Sequence, residues 1–220
     1  MINNLEKFGH DCHVPTTTME SYAKMVNGYL SPTIIEERKL NVASMDVFSR
    51  LFMDRIIWLP TAINEDVANI ISAQIMCLES TNDVEPINLY INSPGGEVTH
   101  GLLIYDTMNL IKCPVYTTCA GQAASMGAVL LSSGEKGHRF ALPHGRIMIH
   151  QVAGGAEGKS ADVRIAVKEM EKCEKVLFDI LAENTGKTVE EIAFACDRDH
   201  WFSATEAVDF GLIDEVIKKK

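Results

Sequence analysis

Apolar positions recur along this chain at two different periods, and the switches between them mark out its elements. Arg55-Ile-Ile-Trp-Leu59 reads as a buried strand, and the segment from Asn64 to about Glu79 as a helix. Ile87-Asn-Leu-Tyr-Ile91 predicts a second strand, which runs into Asn92-Ser-Pro-Gly-Gly96 and then a helix from about Val98 to Ile111. Val115-Tyr-Thr-Thr-Cys119 predicts a third strand, leading through Gly121 to a helix that starts near Ser125. Strands alternating with helices at this spacing predict βαβ units on a parallel sheet. Right-handed crossovers then set the strand-to-helix turns along one edge, where open α/β sheets form their active sites.

The second half changes character. His138 to Leu142 and Arg146 to His150 read as short strands around Pro143-His144-Gly145, followed by Gly154, Gly155 and Gly158. A helical run from about Ser160 to Glu183 sets Val163, Ile165, Val167, Met170, Val176, Leu177, Ile180 and Leu181 among charges. So long a helix exceeds what a domain of this size needs for its own core, which predicts that it projects and packs on a partner. Thr188 to Glu191 and Ser203 to Glu206 have capping-box spacing and predict two further helices. Gly211 is placed to end the last of these.

Composition narrows the choice. The 220 residues, 46% hydrophobic, suffice for one sizeable core. Acidic residues outnumber basic ones 30 to 20, and the one cationic run is Lys218-Lys219-Lys220, so the basic footprint of a nucleic-acid binder is missing. No stretch reaches the roughly 20 apolar residues that span a bilayer. The six cysteines form no Cys-x-x-Cys pair and most lie in apolar segments, which predicts buried reduced thiols and a cytoplasmic protein. Residues 1 to about 28 are polar with short apolar patches and read as a loosely ordered leader. His10, Cys12 and His13 crowd that leader and fall short of a closed zinc site, which needs about four ligands. No metal or cofactor is expected.

Candidate chemistry gathers at the predicted sheet edge. In Gly121-Gln-Ala-Ala-Ser-Met-Gly-Ala128 a serine stands between strand and helix, where helix N-terminal N–H groups favour a developing oxyanion. Ala123 occupies the first glycine position of the Gly-x-Ser-x-Gly elbow, and Ser125 reads equally as a nucleophile or a helix cap. The Gly96 and Met126 N–H groups are candidate oxyanion donors, against a plain tight turn at Pro94-Gly95-Gly96. Of seven histidines, His150 ends an apolar strand and is the candidate base. Asp197 and Asp199 both stand as candidate acids, because spacing alone cannot show which side chains meet.

Taken together, Tyr90-Ile-Asn-Ser-Pro-Gly-Gly96, Ile104-Tyr-Asp-Thr-Met108, Gly121 to Ala128, Arg146-Ile-Met-Ile-His-Gln151, Asp197-Arg-Asp199 and Glu206-Ala-Val-Asp-Phe-Gly-Leu-Ile-Asp214 resemble one family. It is the proteolytic subunit of the Clp (caseinolytic) ATP-dependent protease, and the resemblance runs from about Pro32 to Val216. It implies a serine endopeptidase with Ser125 as nucleophile, His150 as base, Asp199 as its orienting acid, and Gly96 and Met126 as oxyanion donors. The implied fold is the crotonase-like α/β spiral, a single domain over 29–220 with a head and a projecting handle at about 151–183. Within the handle, a glycine-rich 153–158 strand is expected to align peptides and join two stacked seven-membered rings. A Clp-family AAA+ ATPase unfoldase is the implied partner, feeding in unfolded proteins and binding the nucleotide itself, since this chain has no Gly-x-x-x-x-Gly-Lys-[Ser/Thr] loop. The leader is longer than a mature subunit needs, which implies a propeptide. His144-Gly145 departs from the family's more usual Asn-Ser. Rival readings are an acyl-CoA enzyme of the crotonase superfamily and an inert ring scaffold.

Overall fold

The computed structural model describes residues 33–38 and 41–218; the leader, with His10, Cys12 and His13, lies outside them. The first described elements form an antiparallel pair, β1 (Thr33–Arg38) and β2 (Asn41–Asp46), with Thr33 opposite Asp46. Asp46 then caps α1 (Val47–Met53), its carboxylate accepting the Ser49 N–H at 3.0 Å. The main sheet follows from the predicted rhythm. β3 (Ile56–Leu59), α2 (Glu65–Thr81), β4 (Ile87–Ser93), α3 (Val98–Leu110), β5 (Val115–Ala124) and α4 (Met126–Ser132) are three strand-helix units in succession.

β6 (Arg139–Ala141) and β7 (Arg146–Ile149) come next, followed by α5 (Ser160–Thr185) and α6 (Val189–Ala195). β8 (His200–Ser203), α7 (Ala204–Phe210) and β9 (Glu215–Val216) complete the order. The sheet runs β3-β4-β5-β6-β9, all parallel. β5 is long enough to serve two neighbours. Its first half pairs with β6 and its second half, Gln122 to Ala124, with β7, which pairs antiparallel with β8.

Alternation explains which face is wet. Ile87, Leu89 and Ile91 of β4 are fully buried against α2 and α3 with Ile71, Ile75 and Ile104. On the other face Trp58 stacks on Tyr90 at 5.3 Å, and Tyr116 on His138 at 4.0 Å. All seven residues of α4 are buried, so this helix sits inside the molecule. α5 is different. Only Leu177, Ile180 and Leu181 near its C-terminal end are buried, while most of its 26 residues, about 39 Å of helix, stand away from the core.

Four features depart from the sequence expectations. β5 continues past Cys119 to Ala124, because small residues there let two strands approach. His200 to Ser203, for which the sequence predicts no strand, is a strand paired to β7. Residues 150–157 form no strand, having no ladder partner among the described residues. They lie along α5 instead: the Val152 N–H donates to Glu174 Oε2 at 3.2 Å, and Gly154 abuts Met170 Sδ. Lastly, Cys113, Cys119, Cys173 and Cys196 are free thiols, but Cys77 is disulfide-bonded.

Candidate active site

Two strand registers bring the candidate triad together. In the parallel pair β5–β7, Ala124 is opposite Met148, so Ser125 and His150 leave the ends of neighbouring strands on the same side. In the antiparallel pair β7–β8, Ile149 is opposite His200, so the next pair along the same ladder is His150 and Asp199. The side chains close the gap: Ser125 Oγ lies 2.9 Å from His150 Nε2, and Asp199 Oδ1 lies 3.1 Å from His150 Nδ1. With a neutral imidazole, Ser125 donates to Nε2 while Nδ1–H donates to Asp199. Asp197 is not in this chain of bonds. Its carboxylate lies 3.7 Å from Arg198 Nε, and its carbonyl accepts from Gln151 Nε2 at 2.7 Å.

Ser125 occupies the N-cap position of α4 but does not cap it, since its hydroxyl makes no bond to the helix. Its backbone is at φ 54°, ψ −124°, a region that costs a non-glycine residue about 1–3 kcal/mol and persists only where neighbours hold it. One such neighbour is Met148, whose carbonyl accepts the Ser125 N–H at 2.8 Å. The strain turns Oγ outward from the sheet end toward His150.

The glycine turn after β4 lies against this serine. A Cβ on Gly95 would come 2.7 Å from Ser125 Cβ and 3.0 Å from Met126 N. Ile63 fixes the turn from behind, donating to Gly95 O at 2.8 Å and accepting from Glu97 N at 3.0 Å. A side chain on Gly96 would run into the Ile63 carbonyl. The N–H groups of Gly96, in the turn packed on Ser125, and of Met126, the next residue after it, find no acceptor among the described residues. Gly95 and Ile63 escaped the sequence reading. Gly95 was visible in Pro94-Gly95-Gly96, but nothing in sequence marks Ile63 as the clamp.

Beside the triad an open groove of about 600 Å³ is bounded by His150 to Gly154 on one side and Asp197 to Asp199 on the other. Two thiols nearby are poor nucleophiles. Burial pushes Cys119 up to about 12, and burial, with a smaller push from the Glu174 charge, does the same for Cys196. Three other described histidines have separate settings: His138 stacks on Tyr116, His200 stacks on Phe202 at 4.2 Å, and His100 Nε2 is 3.6 Å from Glu97; His144 lies in the turn between β6 and β7. Among the described residues, no group of three or more His, Cys, Asp or Glu could hold a metal ion. No helix among them is long and apolar enough to cross a membrane.

A serine, a histidine and an aspartate in one hydrogen-bonded line, with two unspent N–H donors in the adjoining turn and helix start, suit acyl transfer. The model of the Clp protease family matches residues 38–220. The chain belongs to the Clp protease family. Its relatives agree. An ATP-dependent Clp protease proteolytic subunit from Porphyromonas gingivalis is 51% identical over 201 residues, covering 91% of this chain and 90% of the relative. Proteins of the same description from Bacteroides fragilis and Bacteroides thetaiotaomicron are 50% and 48% identical over 202 residues. They cover 92% of this chain, and 98% and 92% of their own lengths respectively. The α/β architecture is therefore the crotonase-like fold of Clp proteases, and the chemistry of the family is serine-type proteolysis.

Proposed function

We propose that this chain is the proteolytic subunit of an ATP-dependent Clp protease, with Ser125 as nucleophile, His150 as general base and Asp199 as its orienting acid. The unbroken line Ser125–His150–Asp199, at 2.9 and 3.1 Å, carries this reading. Attack of Ser125 Oγ on a peptide carbonyl passes the hydroxyl proton to His150 Nε2, and Asp199 stabilises the imidazolium that forms. The carbonyl oxygen becomes an oxyanion held by Gly96 and Met126 N–H. His150 then protonates the leaving amine, and water repeats the sequence on the acyl-enzyme.

The same reading makes residues 29–220 one protease domain, with residues 1–28 a removable leader and a handle at about 151–183. Two stacked heptameric rings follow from it. Support comes from the exposed Ile165, Val167 and Val176 on a helix that projects from the core. The relatives' description as proteolytic subunits of an ATP-dependent Clp protease supports a Clp-family ATPase as partner; unfolded proteins as substrate and a cytoplasmic setting belong to the same proposal. The test is hydrolysis of a short fluorogenic peptide beside Ser125→Ala, with particle mass recorded. Activity abolished in Ser125→Ala, carried by a particle of about fourteen subunits, is the expected result. Activity that survives the substitution rules the nucleophile out.

A further inference from the structure

The short helix that carries the serine at its head is tethered at its far end by one buried cation. Arg139 of β6 is 4% exposed. Its Nη1 donates to two carbonyls: Ser132 O, the last residue of α4, at 3.1 Å, and Asn184 O, in the final turn of α5, at 2.9 Å. Nε and Nη2 donate to Asp214 at 2.9 and 2.6 Å, and the Arg139 and Gly137 N–H groups bond the same carboxylate. The Asn184 side chain completes the joint, donating from Nδ2 to Ser132 Oγ at 3.1 Å and Ser133 Oγ at 2.9 Å. One guanidinium thus faces the negative ends of two helices at once.

α4 has two turns and is too short to hold its own shape. Its head residue adopts a backbone that relaxes unless the surroundings prevent it. From Met126 to Ser132 the helix spans about 9 Å, so a shift at the Ser132 carbonyl reaches the Met126 N–H almost unreduced. Resting on the assignment of Ser125 as nucleophile, we propose that Arg139 is a positioning residue for the peptidase reaction. By tying the ends of α4 and α5 together, it sets Ser125 and the Met126 N–H relative to the projecting helix, and a displacement of α5 is felt at the nucleophile.

Two variants of the full chain test this. Arg139→Lys keeps a charge beside Asp214 but replaces the fork with a point donor that cannot serve both carbonyls and both carboxylate oxygens. Asn184→Ala removes the amide links and leaves the ion pair intact. Each is compared with wild type for peptide kcat and KM, for the rate of Ser125 labelling by a fluorophosphonate, and for Tm and far-UV circular dichroism. In Arg139→Lys, kcat and labelling rate should both fall about ten- to a hundredfold, the scale of an ångström-level misplacement. The drop in Asn184→Ala should be smaller, with KM within about twofold in both. Wild-type kcat and labelling in the folded variants overturn the proposal, as does a loss matching only the unfolded fraction. Should Arg139→Lys fail to fold, Asn184→Ala decides. Wild-type protein that is not labelled at Ser125 refutes the nucleophile assignment instead, so the two failures are distinguishable.

Discussion

A methyl group on Gly95 would stand 2.7 Å from Ser125 Cβ and 2.6 Å from Ala124 O, on a backbone already at φ +91°. Neither neighbour is the loose end of a side chain, so the turn or the serine has to move. Gly95→Ala should lower kcat/KM by roughly a hundredfold or more, with Tm reduced, and peptide kinetics beside a melting curve will show both. Asp199 is a different case, because its replacement by asparagine changes no volume. An amide there can donate to His150 Nδ1 and select the tautomer whose Nε2 already carries a proton. Asp199→Asn should therefore cut kcat by roughly 10³–10⁴-fold. KM should be nearly unchanged, and an Asn variant as active as wild type would remove Asp199 from the mechanism.

Elements here are joined by charged as well as apolar contacts, and Asp214 is the clearest instance. Burial alone would raise its carboxyl, but the hydrogen bonds and charge of Arg139, with the Gly137 N–H, outweigh burial and hold it below the usual carboxylate range. A depressed folded-state value means that the stabilisation is complete above the unfolded carboxylate pKa, about 3.9, and is lost as pH falls through the lower folded value. Asp214→Asn should lower Tm by roughly 6–12 °C at neutral pH. That gap should narrow below about pH 4, and melting curves across pH 3–7 measure it. At this scale the sequence was most readable where one face of a strand is buried. Alternating Ile87, Leu89 and Ile91 announced β4, and the Thr188 and Ser203 boxes announced α6 and α7, which both form as reciprocal caps. β8 was hidden because His200 and Trp201 follow a run of charges and only Phe202 among its first three residues is buried. The candidate triad was legible as residue types but not as a meeting, which depends on two registers that no local pattern encodes. Choosing Asp199 over Asp197 needed the family resemblance; in the structure only Asp199 faces His150.

Across the whole molecule, the apolar side chains exposed on the projecting helix bear on the proposed assembly. Ile165 is 67% exposed on α5, and Val167 and Val176 on that helix are 40% and 43% exposed. If the proposed double ring stacks through this helix, Ile165→Glu should leave the head folded and halve the particle mass, as analytical ultracentrifugation would detect. A full-mass particle would argue that stacking does not use this position. The order of strands in the sheet also sets a timetable. His150 meets an acid 49 residues further along, and β6 is flanked on one side by β9, whose Val216 pairs with Ala141. A growing chain that has released Ser125 and His150 from the ribosome still has no Asp199, no β8 to turn the imidazole and no Asp214 to hold Arg139. At about 5–20 residues per second, that leaves several seconds in which the nascent polypeptide is harmless to itself and to its neighbours. With the proposed triad, the destructive chemistry is switched on only after Asp199 has been made.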